Sequence, residues 1–177
     1  MNHHDVSPDF RWNKNDLHTI KKIMPHEATP DAVRLFSHYS YRLTDYGYWF
    51  LLSTLWVSYT GWSDLEEWKR LFSSTRPNRE TSIMKPSELD LFRAIEGTIA
   101  LYRAHRPDEA DWISYTFSAM KAAEFAAQRG VSTVKEYRVA KDDMLCLFLR
   151  RGEFEVLVLD KSKAAFVREI SVVRTEG

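Results

Sequence analysis

Two carboxylates, Glu153 and Glu155, stand one residue apart in the apolar run "RRGEFEVLVLD". If the run is a strand, alternation sends both to one face and Val156 and Val158 to the other. An edge or half-exposed strand can carry such a pair with no chemistry attached, so its meaning depends on what the fold brings near it. Arg103 closes another apolar stretch, "TIALYRA". There its rigid five-donor fork can meet a phosphate or a carboxylate, or simply face solvent. Ser114, Tyr115, Thr116 and Phe117 follow Trp112. Alternation puts the hydroxyls of Ser114 and Thr116 on one face and Tyr115 on the other, unless a turn redirects it. Hydroxyls at a strand end beside an aromatic can orient a carboxylate and line a slot for a flat ring.

Other reactive residue types read as structural. His105 and Arg106 belong to a loop after Arg103, and this half of the chain offers no second histidine at ligand spacing, so metal binding has little support. Cys146, the only cysteine, lies in "MLCLFL" and reads as a small buried hydrophobe. One cysteine excludes an internal disulfide and fits a reducing cytoplasm. No nucleophile elbow, glycine-rich phosphate loop, zinc motif or G-x-G-x-x-G turn is present. A cofactor would therefore be held in some other way.

The elements that must position these residues divide at about residue 97. Residues 1–15 are polar and aperiodic and are expected to be a flexible N-terminus. Residues 16–96 read as mainly helical. "DLHTIKKIM" makes a short helix ended by Pro25; Thr29 and Pro30 open a second; and the dense apolar stretch Tyr46 to Tyr59 reads as a buried third, with a buried strand left open by pattern alone, ended at Gly61. Ser63, Asp64, Leu65 and Glu66 form a capping box ahead of an amphipathic helix, "SSTRPNRETSIMKPS" is a breaker-rich loop, and Ser87 with Asp90 starts "ELDLFRAIE". The tryptophans Trp49, Trp56, Trp62 and Trp68 are expected to pack as a helical core or brace a sheet.

From Thr98 the period changes to that of strands: "TIALYR", "DWISYT", "TVKEYRVA", "DMLCLFL", "EFEVLVLD" and "AFVREISVV". Ser118 caps an intervening Ala-rich helix that ends at Gly130, with Ala122, Phe125 and Ala126 toward a core. The class is α+β, helices first and a largely antiparallel sheet over 97–177, expected to fold as one compact domain. With 177 residues, 44% hydrophobic, the chain can bury about two-thirds of its extended surface. Its 25 basic and 25 acidic residues argue against a dedicated nucleic-acid binder while leaving room for modest basic patches, at Lys14, Lys21 and Lys22 and at "RPNR". The most apolar run is about a dozen residues, short of the roughly 20 needed to span a membrane. No leader peptide is evident, and a soluble cytoplasmic protein is expected.

Taken in order, "LYRAH", "WISYTFSAMKAAEFA" and "GEFEVLVLD" resemble the three-part active site of mono-ADP-ribosyltransferases of the arginine–serine–glutamate class, over about residues 98–160. The resemblance implies a split β-sandwich with NAD as cosubstrate, cleaved at the nicotinamide–ribose bond and transferred as ADP-ribose to a macromolecular acceptor, a protein ahead of a nucleic acid. It implies that Glu155 is the catalytic carboxylate and that Glu153, about 7 Å along the same strand face, engages the acceptor. Arg103 and Ser114 would bind NAD and shape the site; Ser-Tyr-Thr replaces the common Ser-Thr-Ser, keeping the first hydroxyl. Tyr115, Thr116 and Phe117 would line the ring pocket, with Tyr115 or Phe117 stacking on nicotinamide. The setting would suit a phage or bacterial effector acting inside a cell. An NAD glycohydrolase on the same fold, a noncatalytic interaction module and a nucleic-acid modifier are the competing readings.

Overall fold

The computed structural model describes residues 5–59, 61 and 64–172. The chain divides into two compact units, Met1–Asp90 and Leu91–Gly177, where the sequence suggests one domain. The first is helical: α1 (Lys14–Ile23), α2 (Pro30–Tyr39), α3 (Asp45–Ser58), α4 (Leu65–Phe72), α5 (Arg79–Ile83) and the start of α6 (Pro86–Ala94). The second holds the end of α6, one long helix, α7 (Ala119–Arg129), and the strands β1 (Thr98–Arg103), β2 (Ser114–Thr116), β3 (Thr133–Ala140), β4 (Cys146–Phe148), β5 (Glu155–Leu157) and β6 (Ala165–Ser171). The class is α+β, with one antiparallel six-stranded sheet in the order β4-β5-β2-β1-β3-β6.

In the helical unit, α3 is apolar nearly all round and is correspondingly buried, with Trp49, Leu51, Leu52 and Leu55 at 1% exposure or less. Among the described residues no helix is long and apolar enough to cross a membrane. The Trp49 indole donates to the Pro77 carbonyl at 3.1 Å, while Trp56, Trp68 and Phe72 form an edge-and-stack cluster. The helical-core expectation for these tryptophans thus agrees with the packing. Trp62 and Ser63 lie outside the described residues. Asp64 is the α4 N-cap, accepting from the Glu66 and Glu67 amides.

Three local expectations change. The breaker-rich segment contains α5, entered through Asn78 at φ 58° and anchored by buried Ser82 and Ile83. Helix α6 begins at Pro86, one residue before the expected cap, because the buried Glu88 carboxylate accepts from the Lys85 amide at 2.8 Å and closes the first turn. Residues 5–13 are tied down rather than flexible. Asp5 accepts from the Ser87 amide and hydroxyl, Ser7 is buried and donates to the Thr81 carbonyl, and Asn13 caps α1. Polar side chains do the anchoring, which is why hydrophobic periodicity gave no sign of it.

Asp16 joins α1 to the entry of α3. Its carboxylate accepts from the Thr44 amide at 2.8 Å and the Thr44 hydroxyl at 2.5 Å, and Thr44 in turn caps Gly47. A Cβ at Gly47 would lie 2.6 Å from Asp16 Cγ. Gly47→Ala is therefore expected to cost about 1–3 kcal/mol of stability by displacing this carboxylate, read as a lower urea midpoint with the slope unchanged. An unchanged midpoint would show that Asp16 shifts freely.

In the sheet unit, α7 lays its small face on the sheet: Ala122 and Ala126 are fully buried against Ala104 and Val134, with Tyr102 and Phe125 flanking. Ser118 caps its start and Gly130, at φ 69°, ends it in the left-handed conformation that suits glycine. Cys146 is fully buried. β1 and β3 have the expected bounds, whereas β4 and β5 are three residues each.

Candidate active site

Strand order makes neighbours of the three stretches singled out in the sequence. β5 pairs with β2 and β2 with β1, although β5 follows β1 by about fifty residues. Tyr102 faces Thr116, and Thr116 faces Glu155, so these three share one face of the sheet. Ser114, paired with Leu157, is on that face too, and its hydroxyl reaches diagonally to donate to Glu155 Oε1 at 2.5 Å. Both side chains are only half-buried. The result is a carboxylate held by a serine at an accessible position on a strand end.

Arg103 supports this pair from behind. It is next after Tyr102 and so leaves the strand on the opposite face, where Nη1 donates to the Ser114 carbonyl at 2.5 Å. Its Nε and Nη2 grip the Glu109 carboxylate at 3.0 and 2.5 Å, a bidentate pair with both side chains about nine-tenths buried. Glu109 also bonds His105 Nδ1 at 2.8 Å, and His105 Nε2 meets the Tyr137 hydroxyl at 2.7 Å. Burial pushes the Glu109 carboxyl up, but the hydrogen bonds of His105 and Arg103, together with their charges, outweigh it and hold the group at about 2. The guanidinium is thus engaged by protein groups on three of its donors, and its primary work is to fix the β2 backbone that carries Ser114.

The remaining residues sort by face. Tyr115 points away from Glu155, as regular alternation requires. It is 2% exposed, packs on Tyr137 and accepts a bond from the Trp112 indole at 2.7 Å; burial first, and nearby Tyr137 and Asp111, push its hydroxyl up to about 12 against the lowering effect of that bond and of Arg103. Tyr115 is therefore removed from the ring-binding residues: no turn redirects it. Thr116 is buried, donates to the Glu153 carbonyl at 2.8 Å and accepts from the Ser118 amide at 3.1 Å. It pins the loop before β5 to the cap of α7. Phe117 donates its amide to the Phe154 carbonyl, and the two rings meet at 5.2 Å, leaving Phe154 partly exposed beside the site.

Glu153 is not on a strand. It has helical φ and ψ of −87° and −16° and is followed by Phe154 at φ 51°, so β5 begins only at Glu155. The expected even spacing of the two carboxylates along one strand face is therefore replaced by a tight turn, in which Arg151 (φ 62°) and Gly152 (φ 66°) also occupy the left-handed region. Arg151 folds back to pair with Glu153 at 3.1 Å. The reason is local: the Arg-Arg-Gly segment breaks the extended backbone, which alternation alone cannot foresee.

Glu109, His105 and Tyr137 are the functional neighbours that sequence reasoning missed. A signal existed in "RPDE". Pro107 and Asp108, the latter at φ 58°, make a turn closed by the Glu109 amide on the Arg106 carbonyl, and such a turn brings a carboxylate back to the end of β1. Arg129, at the end of α7, donates to the Ala104 carbonyl; burial and then the charges of Arg103 and Arg106 bring its guanidinium down to about 10. Among the described residues, no group of three or more His, Cys, Asp or Glu could hold a metal ion. No family model, curated protein or solved structure matches the chain, so the assignment of chemistry rests on this geometry and on the sequence motifs.

Proposed function

We propose that the sheet unit is an NAD-dependent mono-ADP-ribosyltransferase with an ADP-ribosyltransferase-like fold, acting on a macromolecular acceptor, a protein ahead of a nucleic acid. The observation that carries the reading is the continuous chain Glu155–Ser114–Arg103 across three adjacent strands, built from residues 52 positions apart at its ends. Cleaving the nicotinamide–ribose bond builds positive charge on the ribosyl carbon, and nicotinamide leaves readily because its ring nitrogen is cationic. The protein must supply negative charge and geometry. Glu155 as a carboxylate accepts a hydrogen bond from the ribose 2′-hydroxyl and stabilises the oxocarbenium-like transition state, as a carboxylate does in glycoside hydrolysis. Ser114 orients Glu155. Arg103, nine-tenths buried on the face of the sheet opposite Glu155, acts as a positioning residue for Ser114. Phe117 and Phe154 offer the aromatic surface for nicotinamide in place of Tyr115.

Glu153 is the residue nearest in sequence that could take a proton from an incoming nucleophile. Its pairing with Arg151 favours a second reading, an NAD glycohydrolase, in which Glu153 stays occupied and water is the acceptor. Incubating the protein with labelled NAD, with and without a cell lysate resolved afterwards for retained label, separates the two. Label on a discrete macromolecule supports transfer; nicotinamide release without label supports hydrolysis. Absence of release in every condition overturns both.

A further inference from the structure

The helical unit carries a second candidate site, independent of the transferase reading. A cavity of about 420 Å³, within the roughly 300–1,000 Å³ of small-molecule sites, is lined by Asn15, His18 and Thr19 of α1 and by Tyr41 and Arg42, which follow α2. Among the described residues, no carboxylate lines it. Asp16, the one acidic residue of α1, is turned inward onto Thr44 and buried, so α1 presents Lys14, His18, Lys21 and Lys22 to the outside without a counter-charge of its own.

Aromatic faces are interleaved with these side chains and with Arg42. Arg42 lies over the rings of both Tyr39 and Tyr41, at 5.8 and 5.3 Å, and its Nε donates to the Tyr41 hydroxyl at 2.8 Å. Lys22 lies over Tyr39 at 5.2 Å. Tyr41 is 67% exposed although it is an aromatic ring flanking a cavity. The Nε bond fixes the plane of the Arg42 guanidinium, which leaves its fork oriented for a planar or tetrahedral oxyanion. A cationic fork, an imidazole and an amide beside an exposed ring are together the chemistry that recognises a phosphate joined to a flat heterocycle.

We propose that this cavity binds a nucleoside phosphate, with the phosphate on Arg42 and His18 and the base against Tyr41, either as a free nucleotide or as one unit of a single strand that continues toward Tyr39 and Lys22.

Fluorescence and calorimetric titrations of the full chain with adenosine monophosphate, inorganic phosphate and a single-stranded oligonucleotide of about ten nucleotides test this. Saturable binding of the nucleotide or the oligonucleotide is expected, with phosphate alone much weaker. Arg42→Gln and Tyr41→Ala, both on the surface, are each expected to weaken binding about tenfold or more. Arg34→Gln, on the exposed side of α2, should leave it unchanged. Equal affinity for nucleotide and oligonucleotide identifies a free-nucleotide site; tighter oligonucleotide binding that Lys22→Gln reduces identifies a strand. No saturable binding, wild-type affinity in both cavity variants, or an equal loss in Arg34→Gln overturns the proposal.

Discussion

Glu155→Gln is expected to lower nicotinamide release from NAD by about 10²–10³-fold while NAD binding stays within a few-fold of wild type. Glutamine keeps the shape and can still accept from the Ser114 hydroxyl, so the bond at 2.5 Å has a replacement and the three short strands keep their register. What it removes is the charge opposite the forming cation, an interaction that grows only as the bond to nicotinamide breaks. A loss divided in this way, in turnover and not in affinity, is the signature of transition-state stabilisation. Release at the wild-type rate would remove Glu155 from the reaction. Loss of binding and turnover together, with altered unfolding, would show instead that the carboxylate is structural.

The fold was legible where periodicity is strong and less so where single polar contacts decide. β1, β3 and α7 have alternation or an alanine face long enough to define them, and α3 declares its burial by being apolar on every side. The site was legible in part for the same reason. Ser114, Thr116 and Glu155 share a face because strand alternation is a geometric necessity once β2 and β5 are paired. What stayed hidden depended on turns. Glu153 leaves the strand because three residues between Arg151 and Phe154 adopt positive φ, and two of these are not glycine. Arg103 reads from sequence as a fork for a phosphate or a carboxylate, or as a solvent-facing end, and only the Pro-Asp turn shows that Glu109 occupies it. Residues 5–13 read as loose because capping carboxylates and hydroxyls carry no period. For Glu153 and Arg103 a short-range backbone turn decides the outcome, whereas residues 5–13 are held by single polar contacts to Thr81 and Ser87, far away in sequence.

Glu109→Gln is expected to be among the most destabilising single changes in the sheet unit, about 3–5 kcal/mol, because it leaves the Arg103 guanidinium about nine-tenths buried with no carboxylate opposite it. The native pair is not thereby worth that amount, since much of the penalty is the cost of a stranded charge. Acid titration isolates the native contribution. The Glu109 carboxyl lies at about 2 in the folded chain against an ordinary 4.5, so the group binds its proton more readily when unfolded. Its stabilisation is fully present above about pH 5 and is lost as pH falls from there toward 2, by about 3 kcal/mol in all. Urea unfolding measured across that range should show a steeper decline in wild type than in Glu109→Gln, which has no such group to titrate. Parallel declines would mean that Glu109 is not held ionised by Arg103 and His105. Because Arg103 also holds the Ser114 carbonyl, the same substitution should slow nicotinamide release at neutral pH under conditions where the variant is still folded. Arg103→Lys, which keeps the charge but has no fork to span both Glu109 and the Ser114 carbonyl, should slow it too. If both variants fold and turn over like wild type, Ser114 needs no support from behind, and the Arg103 motif is a feature of stability alone.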